Sequence, residues 1–167
     1  MADMRDALQG AGFRGQKAQG NRPGGPQRGD TRGRDSGTNP LPPGYPKYFK
    51  DNGHLRVEMA MGEAQALAAR FESDGLKRSQ LRAFYDHAKR QLQRLAYGVP
   101  FEDVHPEIAR LRAFAADRAG RAENALPQSF KQFIDRNVEA VTNRVSFEKG
   151  FMPHFEAVVA YCARIKD

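Results

Sequence analysis

From residue 54 onward, apolar side chains recur three and four positions apart, and no useful stretch alternates with the period of a strand. Val57, Ala60, Met61, Ala64, Leu67, Ala68 and Phe71 lay out a first helix. Asp74-Gly75 closes it, since glycine suits the left-handed position after a helix. A second helix is predicted over 77–96, with Leu81, Phe84, Tyr85, Ala88, Leu92 and Leu95 on one face, ending at Gly98-Val99-Pro100. The third, over 103–121, carries Ile108, Leu111, Phe114, Ala115 and Ala119, with Pro106 tolerated in its first turn. Residues 123–127 connect it to a fourth helix over 128–143, which buries Phe130, Phe133, Ile134, Val138 and Val141. Ser146 is a capping residue for the fifth, whose face is Phe147, Phe151, Phe155, Val158, Val159, Cys162 and Ile165. Gly150 and Pro153 bend or break that helix near its start. Five amphipathic helices with short links predict an all-α fold, a compact bundle over 54–167.

The pattern stops upstream. Residues 1–40 hold nine of the sixteen glycines and no Val, Ile, Tyr or Trp. Such a segment buries too little apolar surface to offset chain entropy, so it reads as a disordered Gly/Arg-rich tail. Two roles fit its composition, an RNA-associating arm and a solubilising extension. Residues 41–53, LPPGYPKYFKDNG, form a Pro/aromatic connector in which Pro42, Pro43 and Pro46 exclude regular helix. Tyr45, Tyr48 and Phe49 are placed to pack on the bundle or on a partner.

Charge adds direction. The net charge is +7. The tail has seven Lys/Arg against four Asp, and the remainder has 20 against 16 Asp/Glu. Basicity spread over both parts favours nucleic acid, phosphate-rich partners or acidic proteins. The N-terminus lacks the apolar core of a signal peptide, and no run reaches the roughly 20 apolar residues of a membrane span. With Cys162 as the one cysteine there is no disulfide framework, so a cytoplasmic protein with no membrane partner is expected.

Catalytic chemistry finds little support. His54, His87, His105 and His154 lie on different elements, and no two have metal-ligand spacing. Cys162 sits on an apolar helix face and reads as a buried, inert thiol. Glu102/Asp103 and Asp135/Glu139 are spaced as helix-surface residues, solvated or paired with neighbouring arginines. The tail glycines lack the strand–turn–helix context of a phosphate loop. No catalytic residue, metal or cofactor is therefore predicted.

The cations remain. At about 100° per residue, Arg78, Arg82 and Lys89 fall in one narrow stripe beside the apolar face of the second helix. Arg90 and Arg94 form a second stripe nearly opposite the core. Arg118 projects from the apolar side of the third helix, between Leu111 and Ala115 in angle. An arginine there is either salt-bridged inside or placed where the face meets a partner. For most of the other cations, solvation of exposed helix faces is explanation enough.

Laid out in this order, the helices resemble the small helical subunit of type III-A CRISPR (Csm) RNA-guided effector complexes. The resemblance is carried by LKRSQLRAFYDHAKR at 76–90, FEDVHPEIARLRAFAADRAGR at 101–121, PQSFKQFIDRNVEAV at 127–141 and FEAVVAYCARIKD at 155–167. It spans roughly 54–167. Its most specific pieces are SQLRAFY at 79–85, AGR at 119–121 and FEAVVAY at 155–161. Lys77 stands where the family pattern commonly has a Thr cap, and Asp117 stands where an aromatic residue is usual. The long Gly/Arg tail is not a family hallmark.

The resemblance implies a non-catalytic antiviral subunit. It implies copies that stack beside the repeating backbone subunit, in a complex that includes a large polymerase-like subunit, and that contact the guide RNA–target RNA duplex through backbone phosphates. Base pairing then supplies specificity, and no base-reading motif is required. Head-to-tail stacking needs two different exposed patches. The RNA-contact candidates are Arg78, Arg82, Lys89, Arg118 and Arg121, followed by Lys77 and Arg90. Arg82 and Arg121 match the family motifs, and the others rest on helix geometry. The competing reading is a helical protein–protein adaptor with no nucleic-acid role, whose basic stripes meet an acidic partner.

Overall fold

In a computed structural model the structure describes residues 41–167. The reading of residues 1–40 as a disordered tail lies outside the described residues. The elements are α1 (Val57–Ala60), α2 (Gly62–Ser73), α3 (Arg78–Ala96), α4 (Phe101–Ala119), α5 (Gln128–Ala140) and α6 (Met152–Tyr161). A π-turn, Ser146–Phe151, leads into α6, and a 3-10 turn, Cys162–Arg164, follows it. Among the described residues there is no strand, only an isolated antiparallel bridge between Phe49 and Leu55. The all-α bundle expected from periodicity is the fold found.

The core is aromatic. Phe71, Phe130, Phe133, Phe151 and Phe155 are fully buried. Phe71 meets Phe130 and Phe133 edge-on, at centroid distances of 5.2 and 5.5 Å. Phe133 meets Phe155 at 5.3 Å, and Phe155 stacks on Phe151 at 5.4 Å. Edge and offset contacts of this kind add to the stabilisation from burial alone. α2, α5 and α6 thereby close on one another. α3 lies against α4 and α6.

Five expectations change. The predicted first helix is two, broken at Met61 (φ −120°, ψ −97°). The break shifts the helical register, so Met59 is buried while Val57 and Met61 are each 56% exposed. α4 begins at Phe101 and ends at Ala119. Pro106 is therefore in its second turn, where its missing N–H leaves the Glu102 carbonyl without the usual helical donor, and Arg121 lies beyond the helix. Phe114 sits at the edge of the α4 face and stays 40% exposed. α5 stops at Ala140 rather than 143. The capping residue before α6 is Asn143, not Ser146. Asn143 Oδ1 accepts from the Ser146 N–H (2.8 Å) and Ser146 Oγ accepts from the Asn143 N–H (3.1 Å), a reciprocal capping pair.

The connector belongs to the bundle's interior. Tyr45 and Tyr48 are buried, and their hydroxyls join a closed polar chain. Tyr48 donates to Asn137 Oδ1 (2.7 Å), and Asn137 Nδ2 donates to Tyr45 Oη (3.0 Å) and to the Phe133 carbonyl (2.7 Å). Tyr45 in turn donates to His154 Nε2 (2.7 Å), which leaves the proton on Nδ1 to donate to the Met59 carbonyl (2.5 Å). Burial lowers the His154 pKa to about 4, which keeps the ring neutral, and raises both tyrosine hydroxyls. Every side-chain polar atom of this network has a partner, which offsets the cost of its burial. Gly150 completes the fit: a Cβ there would lie 2.6 Å from Tyr48 Cδ2.

Candidate nucleic-acid interface

The interface candidates are carried by α3 and the C-terminal half of α4. These helices run antiparallel: Gln80 Nε2 donates to the Asn124 carbonyl (2.8 Å), Arg118 overlies Phe84, and His87 Nε2 meets the Glu107 carbonyl (2.8 Å). Leu81, Phe84, Ala88, Gln91 and Leu95 are the buried face of α3. On one flank Tyr85 packs edge-on against Phe155 of α6 at 5.5 Å. On the other, His87 and Arg90 border α4. The two predicted cationic stripes therefore belong to different grooves.

Arg78 and Arg82 are exposed one turn apart on the α6 side. Among the described residues, neither has a carboxylate within salt-bridge distance. Asp167 feels the charge of both. Its Oδ1 accepts the Ser79 N–H at 2.7 Å, and its carboxyl is held below the usual range, first by Ser79 and then by the charges of Arg78 and Arg82. This contact resolves the departure at Lys77. Gln80 reaches back to the Lys77 N–H (3.1 Å), but a lysine has no acceptor with which to return the bond, and Asp167 takes the free donor instead. The Lys166 carbonyl accepts from the Arg78 N–H (3.4 Å), so the chain end runs across the start of α3.

The remaining candidates are distributed differently. Lys89 is on the Arg78/Arg82 stripe but is engaged: its Nζ lies 3.2 Å from Tyr85 Oη and 3.9 Å from Glu156. Those two contacts raise its pKa and keep it charged. Lys77 Nζ is bonded to Asn124 Oδ1. Arg121 pairs with Asp117 at 2.6 Å. Arg118, half-buried, does not take the salt-bridged option. It has no carboxylate partner among the described residues, and its guanidinium lies 5.4 Å from the Phe84 ring centroid, facing a groove that Arg90 also lines. The structure thus brings Arg78 and Arg82 to one edge, and Arg90 and Arg118 to another.

Sequence reasoning does not single out His87, Arg110 and Phe114, which gather beside this groove. Their signal is the spacing Arg110-Phe114-Arg118, one aromatic with an arginine four residues to either side. Among the described residues no group of three His, Cys, Asp or Glu is arranged to hold a metal ion, and no helix is long and apolar enough to cross a membrane. Cys162 is buried, and burial pushes its thiol up to about 11, so it is a poor nucleophile at neutral pH.

The chain matches no curated protein and no solved structure. The Csm2 Type III-A family model matches residues 55–166, from the end of the connector to the end of the bundle. The match covers all six helices. This chain belongs to the Csm2 Type III-A family, the small subunits of type III-A CRISPR complexes.

Proposed function

We propose that this Csm2-family subunit is a non-catalytic building block that stacks in several copies along the guide RNA–target RNA duplex and holds its phosphate backbone during antiviral interference. The observation that carries the reading is the Arg78/Arg82 edge. Several other cations are committed to carboxylates: Lys89, on the same stripe, to Glu156, and elsewhere Arg110 to Glu107, Arg112 and Lys131 to Asp135, Arg121 to Asp117 and Arg144 to Glu148. Two adjacent exposed arginines without such partners among the described residues are available to polyanion phosphates. Lys77 and Arg121 lie at the same end of the bundle and extend this surface, and Lys89 joins it if phosphate displaces Glu156.

Stacking is supported by two separate apolar patches. Val57 and Met61 are exposed on α1 and at its end. Tyr97, 88% exposed at the end of α3, and Val145, 52% exposed, lie on segments that the Arg144–Leu95 hydrogen bond (3.4 Å) ties together. Unlike patches on different elements suit a head-to-tail contact. The other partners in this reading are the repeating backbone subunit and the large polymerase-like subunit.

Co-purification from the native host tests the assembly. The expected result is a set of processed guide RNAs of regular length, together with the other effector subunits. Retention of protein partners with no RNA, before any nuclease treatment, contradicts the RNA role and favours the adaptor reading.

A further inference from the structure

We propose that the groove between α3 and α4 is a second nucleic-acid site, which takes the base of an unpaired ribonucleotide rather than duplex backbone. The inference rests on the RNA-contact reading above and deepens it. The groove has a volume of about 310 Å³, at the small end of ligand sites, and is lined by Ala83, Asp86, His87, Arg90, Phe114 and Arg118 over a floor of Phe84 and Leu111.

Three features point to a base. Phe114, at the edge of the buried face of α4, stays 40% exposed. That ring is held in place: His87 meets it edge-on at 5.6 Å and 84°, His87 is itself fixed on the Glu107 carbonyl, and the Arg110 guanidinium lies 5.9 Å from the ring centroid. Arg118 is pinned over Phe84 with no carboxylate partner among the described residues, and Asp117 beside it is taken by Arg121. An immobilised, part-exposed aromatic beside an arginine that no carboxylate engages is an arrangement on which a single-stranded base stacks while the cation meets an adjoining phosphate.

Asp86 makes the choice of occupant sharper. Among the described residues it is the one carboxylate lining the groove. It repels a bare phosphate or an acidic peptide, but it accepts hydrogen bonds from the amino group of a base. An acidic peptide would also leave the Phe114 ring unused. A base inside a duplex has its π-face covered by its neighbours, so only an unpaired nucleotide offers both the ring and the phosphates.

The test compares binding of the full chain to oligo(A) RNA and to an abasic oligomer of the same length. The expected result is tighter binding of oligo(A), by about tenfold, from base stacking. Phe114→Ala should abolish that ratio and Phe114→Tyr should keep it. Arg82→Glu should weaken both oligomers alike and leave the ratio unchanged. A ratio near one in the wild type, or a ratio that survives Phe114→Ala, overturns the groove as a base site. If duplex RNA still binds in an Arg82-dependent way, the backbone reading stands without it. A ratio that behaves as expected alongside Arg82-independent duplex binding overturns the backbone reading and leaves the groove.

Discussion

Gly150 shows how much one missing methyl group can decide. In sequence it reads as a helix breaker, and the chain does deform there into a π-turn. Its closer constraint is the Tyr48 ring, which lies where a Cβ would be. Tyr48 has little freedom to retreat, because its hydroxyl is bonded to Asn137 inside the bundle. Gly150→Ala is therefore predicted to destabilise the fold by about 1–3 kcal/mol, the usual range for overpacking a core. Chemical denaturation of the single and double variants checks the cause. In a Tyr48→Ala background the same alanine should cost much less, and an equal cost in both backgrounds contradicts the steric account. Lys77 and Asp167 make a similar point about legibility. The sequence shows that a capping side chain is missing at Lys77. It does not show that the Asp167 carboxylate, 88 residues beyond Ser79, supplies the bond that Ser79 needs.

At the scale of elements, the helices themselves are legible because burial imposes a period of 3.6 on each of them. Spacing alone assigns Phe71, Phe130, Phe133, Phe151 and Phe155 to core faces, and all are buried. The boundaries are less legible because tertiary contacts set them. Met59 is the example: its carbonyl meets His154 of α6 beside the break at Met61, and nothing local announces that partner. The connector is legible only as a non-helix, since the polar chain that fixes Tyr45 and Tyr48 draws on α5 and α6. This chain has a pH signature. His154 has a folded pKa of about 4 against an unfolded value near 6.5, so the unfolded state takes up a proton first as pH falls. The stability it contributes is complete above pH 6.5 and is lost progressively toward pH 4, by up to roughly 3 kcal/mol. Thermal melts between pH 7 and pH 5 should show Tm falling with pH in the wild type, and a flatter profile in His154→Gln. Parallel profiles would remove His154 as the cause.

Over the whole molecule, the family is legible in the order of the helices and the candidate interface only in outline. Helix angle places Arg78, Arg82 and Lys89 in one stripe, and the structure keeps them on one side of α3. Helix angle cannot foresee that Glu156, on another element, engages Lys89. Nor can it foresee that Arg90 and Arg118 meet across a different groove. Ion pairing sorts cations that look equivalent in sequence: within this stripe it engages Lys89 and leaves Arg78 and Arg82 without a carboxylate partner among the described residues, and the proposed backbone contact rests on that difference. The most direct test of that claim is the salt dependence of binding to a perfectly paired RNA duplex, measured for the wild type, Arg78→Gln/Arg82→Gln and Lys89→Gln. The double variant is predicted to bind more weakly and to lower the magnitude of the slope of log K against log[salt] by about 1–2, with a smaller change for Lys89→Gln. A correctly folded double variant with wild-type affinity and an unchanged slope would contradict the account.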